Sequence, residues 1–136
     1  MTLSKTRIGL NRWHEQDQRC IWCGEWTWHH KQTTKKNARM VLGIEPGEVC
    51  GAKRLRRHKA TVEHIIPQSL GGTDGGYNLV CACHYCNVRR GNDMNATAPI
   101  PQIAAKLPPN VRIQLVKVGL DLSRWHQPQE LAGETQ

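Results

Sequence analysis

Residues 61–91 read TVEHIIPQSLGGTDGGYNLVCACHYCNVRRG, and the order of residue types in this stretch decides the fold. Thr61 to Ile66 is rich in β-branched residues and ends at Pro67, which has no N–H to carry a ladder onward, so it predicts a strand. The run Gly71-Gly72-Thr73-Asp74-Gly75-Gly76 accepts φ > 0 at several positions and lets the chain turn back. Tyr77 to Ala82 predicts a second strand and Cys83-x2-Cys86 a knuckle. The polar residues 87–95 predict a short helix that begins at or just before Asn87. The predicted order is strand, long loop, strand, knuckle, helix.

Upstream, Cys20-Ile21-Trp22-Cys23 is a second knuckle, preceded by Leu10, Trp13 and His14 at helical spacing. A CxxC turn presents two thiolates to one side of a metal, and two such turns complete a tetrahedron, so Cys20, Cys23, Cys83 and Cys86 predict a structural Zn²⁺ site. The chain needs such a staple. Its 136 residues hold no Phe and two Tyr, and four of its five Trp lie between Trp13 and Trp28, leaving few large side chains to fill a core. No run approaches the roughly 18–20 apolar residues of a bilayer span, and the N-terminus lacks the apolar stretch of a secretory signal. The expectation is a soluble, cytoplasmic protein without membrane association, in which six thiols favour metal over disulfides. Cys81 reads as a small buried hydrophobe. Cys50 has two readings, a spare thiol or an extra ligand with His29 or His30.

With 19 Lys+Arg against 11 Asp+Glu, the formal charge is +8, which suits a polyanionic partner. Most of that charge lies in residues 25–60, where nine basic side chains face Glu25, Glu45 and Glu48. The polar segment 31–37 and the turn Glu45-Pro46-Gly47-Glu48 predict an exposed excursion with little core of its own. From residue 96 onward Pro99, Pro101, Pro108 and Pro109 predict a linker wrapped on the surface. After it Asn110 can cap a helix in which Val111, Leu115, Val118, Leu122 and Trp125 form one stripe that docks on the core. A strand over 111–118 is the competing reading, because Val111, Ile113 and Leu115 alternate.

Together Val62-Glu63-His64-Ile65-Ile66-Pro67, the Gly71-Gly72 loop, Asn78-Leu79-Val80 and Cys83-x2-Cys86-Asn87-x2-Arg90-Gly91 resemble the HNH endonuclease family. The likeness covers roughly residues 10–23 and 61–91 and is to the zinc-stapled subgroup. It implies a small α+β fold, a ββα-metal core stapled by a four-cysteine structural zinc, with flanking helices and a basic insertion. The domain expected from it spans 1–95, with knuckles at 20–23 and 83–86, the insertion at 25–60 and the ββα core at 61–95. Residues 96–136 then form the proline-rich linker and the C-terminal amphipathic helix packed on the core.

The resemblance also implies roles. His64 takes the first letter of the family name and accepts the proton of an attacking water. Asn78 takes the second, with its side-chain or backbone carbonyl bonding the other imidazole nitrogen and fixing the tautomer. Asn87 takes the third and supplies an oxygen to a catalytic metal beside the carboxylate of Glu63, where the family usually carries Asp. Two protein ligands leave most of the coordination sphere to water and phosphate, which suits one Mg²⁺ or Mn²⁺ ion. Glu63 and His64 are neighbours on a strand and point to opposite faces, so the strand must bend there. Arg89 and Arg90 would hold phosphates beside the cleft, and Lys53, Arg54, Arg56, Arg57 and Lys59 would extend the track. His58 and His84 have two readings, surface or knuckle positions or ligands that join either metal site. The implied activity is metal-dependent hydrolysis of DNA phosphodiester bonds, on double-stranded DNA, with a homodimer the easiest route to double-strand cleavage. The rival reading is a zinc-stapled nucleic-acid-binding module that lacks hydrolysis.

Overall fold

The computed structural model describes residues 3–121. Its centre is a two-stranded antiparallel sheet, β1 (Ala60–His64) and β2 (Leu79–Cys83), in the register Ala60↔Cys83 to His64↔Leu79. Both strands thus fall where β-branched residues and the glycine loop predict them, with Tyr77 and Asn78 in a 3₁₀ turn ahead of β2 instead of inside it. Ile65 continues the pairing by one bond, donating its N–H to the Asn78 carbonyl at 2.8 Å.

Helix α1 (Lys5–Glu15) covers one face of the sheet. Its N-cap is Ser4, whose side chain accepts the Arg7 N–H. Val62 reaches into the space that Gly9 leaves open: a Cβ on Gly9 would lie 2.5 Å from Val62 Cγ2, so any larger residue there would push helix and strand apart. Trp13, Ala60 and Cys81 fill this face. Beyond the helix, the buried amide of Gln16 satisfies both backbone groups of Cys81 on the outer edge of β2.

The opposite face carries the principal core, in which Val80 and Ala82 meet the first knuckle (Cys20, Ile21, Trp22) and the C-terminal segment. That segment departs from the expected surface linker. Ile100 donates to the Ile21 carbonyl at 2.9 Å, α5 (Pro101–Ala104) follows, and Ile103, Ala104 and Leu107 are buried. The prolines terminate and start short helices here while the apolar residues between them pack inward. Helix α6 (Pro109–Val116) then buries Val111 and Leu115, with Val118 just past its end, and leaves Ile113 exposed. The helical period therefore prevails over the alternating one. The helix starts one residue ahead of Asn110, with Pro108 at the N-cap and Pro109 at N1. Leu122 and Trp125 lie outside the described residues.

The basic insertion also differs from expectation. It folds as α2 (Lys35–Leu42) and α3 (Gly51–Arg57) around a small core of its own, Trp28, Ala38, Ile44 and Leu55. Thr34 caps α2, Gly43 ends it at φ 68°, and the expected turn at Glu45-Pro46-Gly47-Glu48 forms, with Gly47 at φ 77°. Trp28 ties the insertion to the sheet: its indole donates to the Leu55 carbonyl at 2.8 Å and its own carbonyl accepts the Ala60 N–H. No helix of the described residues is long and apolar enough to cross a membrane.

Helix α4 (His84–Arg90) begins directly after β2. Cys83 is its N-cap, with Sγ accepting the Cys86 N–H at 3.4 Å. Asn87 therefore sits inside the helix, three residues past its first, and not at its start.

Candidate active site and metal centre

The two knuckles meet as their spacing requires. The sulfurs of Cys20, Cys23, Cys83 and Cys86 lie within 4.8 Å of one another, and Cys23 Sγ is 3.9 Å from Cys83 Sγ. Tetrahedral Zn²⁺ with Zn–S bonds near 2.3 Å spaces its sulfurs about 3.8 Å apart, whereas a disulfide needs about 2.05 Å. The donor set and its spacing fit structural zinc. Hydrogen bonding among the crowded sulfurs also splits the thiols, pulling Cys23 and Cys83 down and pushing Cys20 and Cys86 up. Among the described residues no other group brings three or more Cys, His, Asp or Glu ligand atoms together. Cys81 is buried, with its thiol pushed up to about 12 by desolvation, and Cys50 is exposed at the N-cap of α3.

At the far end of β1 a cleft of about 490 Å³ opens between the strand end and α4, bordered by Glu63, His64, Gln68, Asn87 and Gly91. Glu63 faces α4 and is 6% exposed. Its Oε2 accepts the Trp22 indole N–H at 3.2 Å and lies 3.8 Å from Arg90 Nη1. Burial raises its carboxyl to about 7, against the opposing pull of Arg90, Trp22 and the His64 N–H. The acid is thus balanced between its two protonation states near neutral pH, and a cation in the cleft would favour the charged one.

Asn87 is oriented by its neighbours. Thr61 donates its hydroxyl to the Ala82 carbonyl at 2.8 Å, so Thr61 Oγ1 can only accept from Asn87, whose Nδ2 lies 2.9 Å away. Nδ2 also reaches the Val62 carbonyl at 3.4 Å. With the amide nitrogen committed to the strand, Oδ1 is the atom left to serve the cleft that Asn87 borders. A buried carboxylate with incomplete compensation and an amide oxygen turned from the strand are hard donors of the kind that Mg²⁺ or Mn²⁺ takes.

His64 shares the cleft from the other face of β1, so the opposed directions of adjacent side chains are reconciled by a cavity that wraps the strand end. Asn78 is not its partner. The Asn78 side chain is fully buried and accepts the Ile66 N–H at 2.9 Å and the Gln114 amide at 3.0 Å, and it donates to the Ile66 and Thr73 carbonyls. It ties both ends of the glycine loop to α6. The group on His64 Nε2 is Asp74 Oδ1, at 2.7 Å. In the sequence Asp74 reads only as part of a turn, and its place midway along the loop between His64 and Asn78 is the one signal that marks it.

Arg90 is a second correction. Instead of facing phosphate it is 2% exposed. Nη1 donates to the His64 carbonyl at 2.8 Å and Nη2 to the Ile65 carbonyl at 2.6 Å, and the guanidinium stacks 4.4 Å from the centre of the Trp22 ring. Its Nε is buried without a hydrogen-bond partner among the described residues. Arg90 is the bolt between α4 and the end of β1. Of the other basic candidates, Lys53, Arg54, Arg56, Arg57 and Arg89 are exposed. Arg54 is committed to Glu48 at 2.5 Å and to the Leu42 carbonyl. Arg57 and Arg89 flank the Tyr85 ring at 4.2 and 5.6 Å. Lys59 and His84 border a smaller pocket on the α1 side with His29 and His30, and His58 bonds the Trp26 carbonyl.

A sheet end that gathers an imidazole, a buried acid and an amide oxygen beside a cysteine-clamped knuckle can activate water and hold a cation. Residues 48–93, which span α3, the sheet and α4, match the family model described as HNH endonuclease. No curated protein and no solved structure matches the chain.

Proposed function

With the HNH-family segment as premise, we propose that the chain is a metal-dependent DNA endonuclease hydrolysing phosphodiester bonds. The observation that carries the reading is the convergence of Glu63, His64 and Asn87 on one cleft at the end of β1. His64 serves as general base toward the attacking water. Glu63 and Asn87 hold one divalent cation, Mg²⁺ or Mn²⁺, which when bound supplies positive charge for the phosphate and the leaving oxygen. Arg90 fixes the strand end so that the base and the acid keep their separation. Zinc at the four cysteines is structural. Lys53, Arg56, Arg57 and Arg89 bind the backbone of duplex DNA, and Tyr85 keeps the last two guanidiniums extended over the surface.

Supercoiled plasmid incubated with the zinc-loaded protein and added Mg²⁺ or Mn²⁺ tests the reading. Nicked or linear product is expected, with the His64→Ala protein binding DNA but leaving it uncut. Linear product without a nicked intermediate would indicate two sites acting together, as in a homodimer.

One observation favours the second reading, a DNA-binding module without hydrolysis: the Glu63 carboxylate is already engaged by Trp22 and Arg90. A wild-type protein that retains plasmid in a salt-dependent way and leaves it supercoiled with either cation would establish that reading over the first.

A further inference from the structure

We propose that Asp74 is the positioning residue for the His64 imidazole, and that it leaves Nδ1 as the atom that takes the proton from water. The inference rests on the reading of His64 as general base. Asp74 Oδ1 lies 2.7 Å from His64 Nε2, and an ionised carboxylate only accepts, so the shared hydrogen belongs to Nε2. A neutral ring then carries its lone pair on Nδ1, which bonds no other group among the described residues.

The surroundings show that this carboxylate is placed. Gln68 Nε2 donates to the same oxygen at 3.1 Å, and Lys5 Nζ approaches it from α1 at 3.5 Å. Three segments thus converge on an Asp side chain that is 55% exposed. The backbone on either side is fixed as well: Asn78 Nδ2 donates to the Thr73 carbonyl at 2.8 Å, and the Gly75 N–H donates to Thr73 Oγ1 at 3.2 Å. The buried Asn78 therefore acts on His64 at one remove, by holding the loop that carries Asp74. Contact with His64, and then with Lys5, keeps the Asp74 carboxyl below its ordinary range, so it stays an acceptor at neutral pH.

In the step, an O–H bond of water breaks and its proton goes to Nδ1 as the oxygen attacks phosphorus. The bond from phosphorus to the leaving oxygen breaks, and that oxygen takes a proton from solvent. The imidazolium so formed keeps its Nε2 hydrogen on Asp74, whose negative charge stabilises it and which is itself never protonated.

The zinc-loaded full chain tests this with Asp74→Ala, His64→Ala and the double variant. Against supercoiled plasmid with Mg²⁺ or Mn²⁺, Asp74→Ala is expected to lose about 10- to 100-fold in kcat with KM little changed. The double variant should be no slower than His64→Ala, because a residue that acts through another has nothing left to contribute. Nitrogen-15 spectra of the neutral His64 ring, recorded without substrate, should show the hydrogen on Nε2 in the wild type and a tautomer mixture in Asp74→Ala. Wild-type kcat in Asp74→Ala, losses that add in full in the double variant, or a wild-type ring protonated on Nδ1 would each overturn the assignment. A wild-type protein that cuts nothing overturns the hydrolytic reading instead, and the ring spectrum still reports on Asp74 by itself.

Discussion

The indole of Trp22 donates to Glu63 Oε2 at 3.2 Å. Trp22 lies between Cys20 and Cys23, so the first knuckle reaches from the four-cysteine cluster directly to the acid of the cleft. The same ring supports the Arg90 guanidinium. The metal clamp is in this way continuous with the proposed cutting centre, and the distance in sequence from Trp22 to Glu63 is bridged by one hydrogen bond.

Trp22→Phe separates the two functions of that side chain. Phe keeps an aromatic face for Arg90 and most of the buried area but removes the donor to Glu63. The folded protein should persist, while affinity for Mg²⁺ or Mn²⁺ falls about 10-fold or more, the usual cost of losing a partner that orients a ligand. Calorimetric titration of the cation checks it. Unchanged affinity would mean that Trp22 serves the core alone.

Zinc removal should unfold the chain and not merely loosen it. Cys20, Ile21 and Trp22 are buried in the principal core, so opening the clamp withdraws part of that core. Structural zinc contributes roughly 10–16 kcal/mol in small peptides, as much as the entire stability of an ordinary domain, about 5–15 kcal/mol. Cys86→Ser, or treatment with a strong chelator, should abolish the cooperative thermal transition by circular dichroism, and added Zn²⁺ should restore it only to the chelated wild type. A sharp melt in the zinc-free protein would refute the structural role.

Arg90→Lys is not a conservative change here. The planar fork satisfies two carbonyls at the end of β1 and stacks on Trp22, and an ammonium cannot do all three. Leaving a buried carbonyl unpaired costs about 1–3 kcal/mol, so urea unfolding should show a loss of at least that size. Cleavage should fall as well, through displaced His64 and Glu63. If Lys proves neutral on both counts, the bolt between α4 and β1 is not needed.

What the sequence disclosed and what it hid follow one physical division. The knuckles, both strands and the turn at Gly47 depend on spacing and backbone preference within a few residues, and these read correctly. Arg90 misled because a charged residue on a polar helix ordinarily faces water; its burial needs the Glu63 carboxylate and two strand carbonyls, which only the fold supplies. The start of α4 misled because its cap is a cysteine sulfur, outside the usual capping residues. The cores of the insertion and of the C-terminal segment were hidden for a third reason. Trp28, Ala38, Ile44 and Leu55 are too widely spaced to show a period, and Ile103 and Leu107 sit among prolines that suggest exposure. Asn78 and Asp74 show the limit most clearly: the expected asparagine and the unexpected aspartate differ in role because of a loop whose path no local pattern encodes.

Glu63 also predicts how stability depends on pH. Burial holds its carboxyl near 7 in the folded protein, whereas in the unfolded chain it titrates near 4.3. The folded state therefore binds the extra proton between those values, and by linkage unfolding becomes easier as pH rises through them. The contribution is fully present below about pH 4 and lost above about pH 7, at most about 4 kcal/mol. The Glu63→Gln protein has no such titration. Measured in buffer without added Mg²⁺ or Mn²⁺, the difference in unfolding free energy between the Glu63→Gln and wild-type proteins should shift in favour of the variant from pH 5 to pH 8. Added Mg²⁺ should then stabilise only the wild type at pH 8, because a cation that binds the ionised acid reverses the cost of its burial. A difference that stays constant from pH 5 to pH 8 would show that Arg90 and Trp22 already compensate the charge in full, and Glu63 would then have no electrostatic reason to seek a metal.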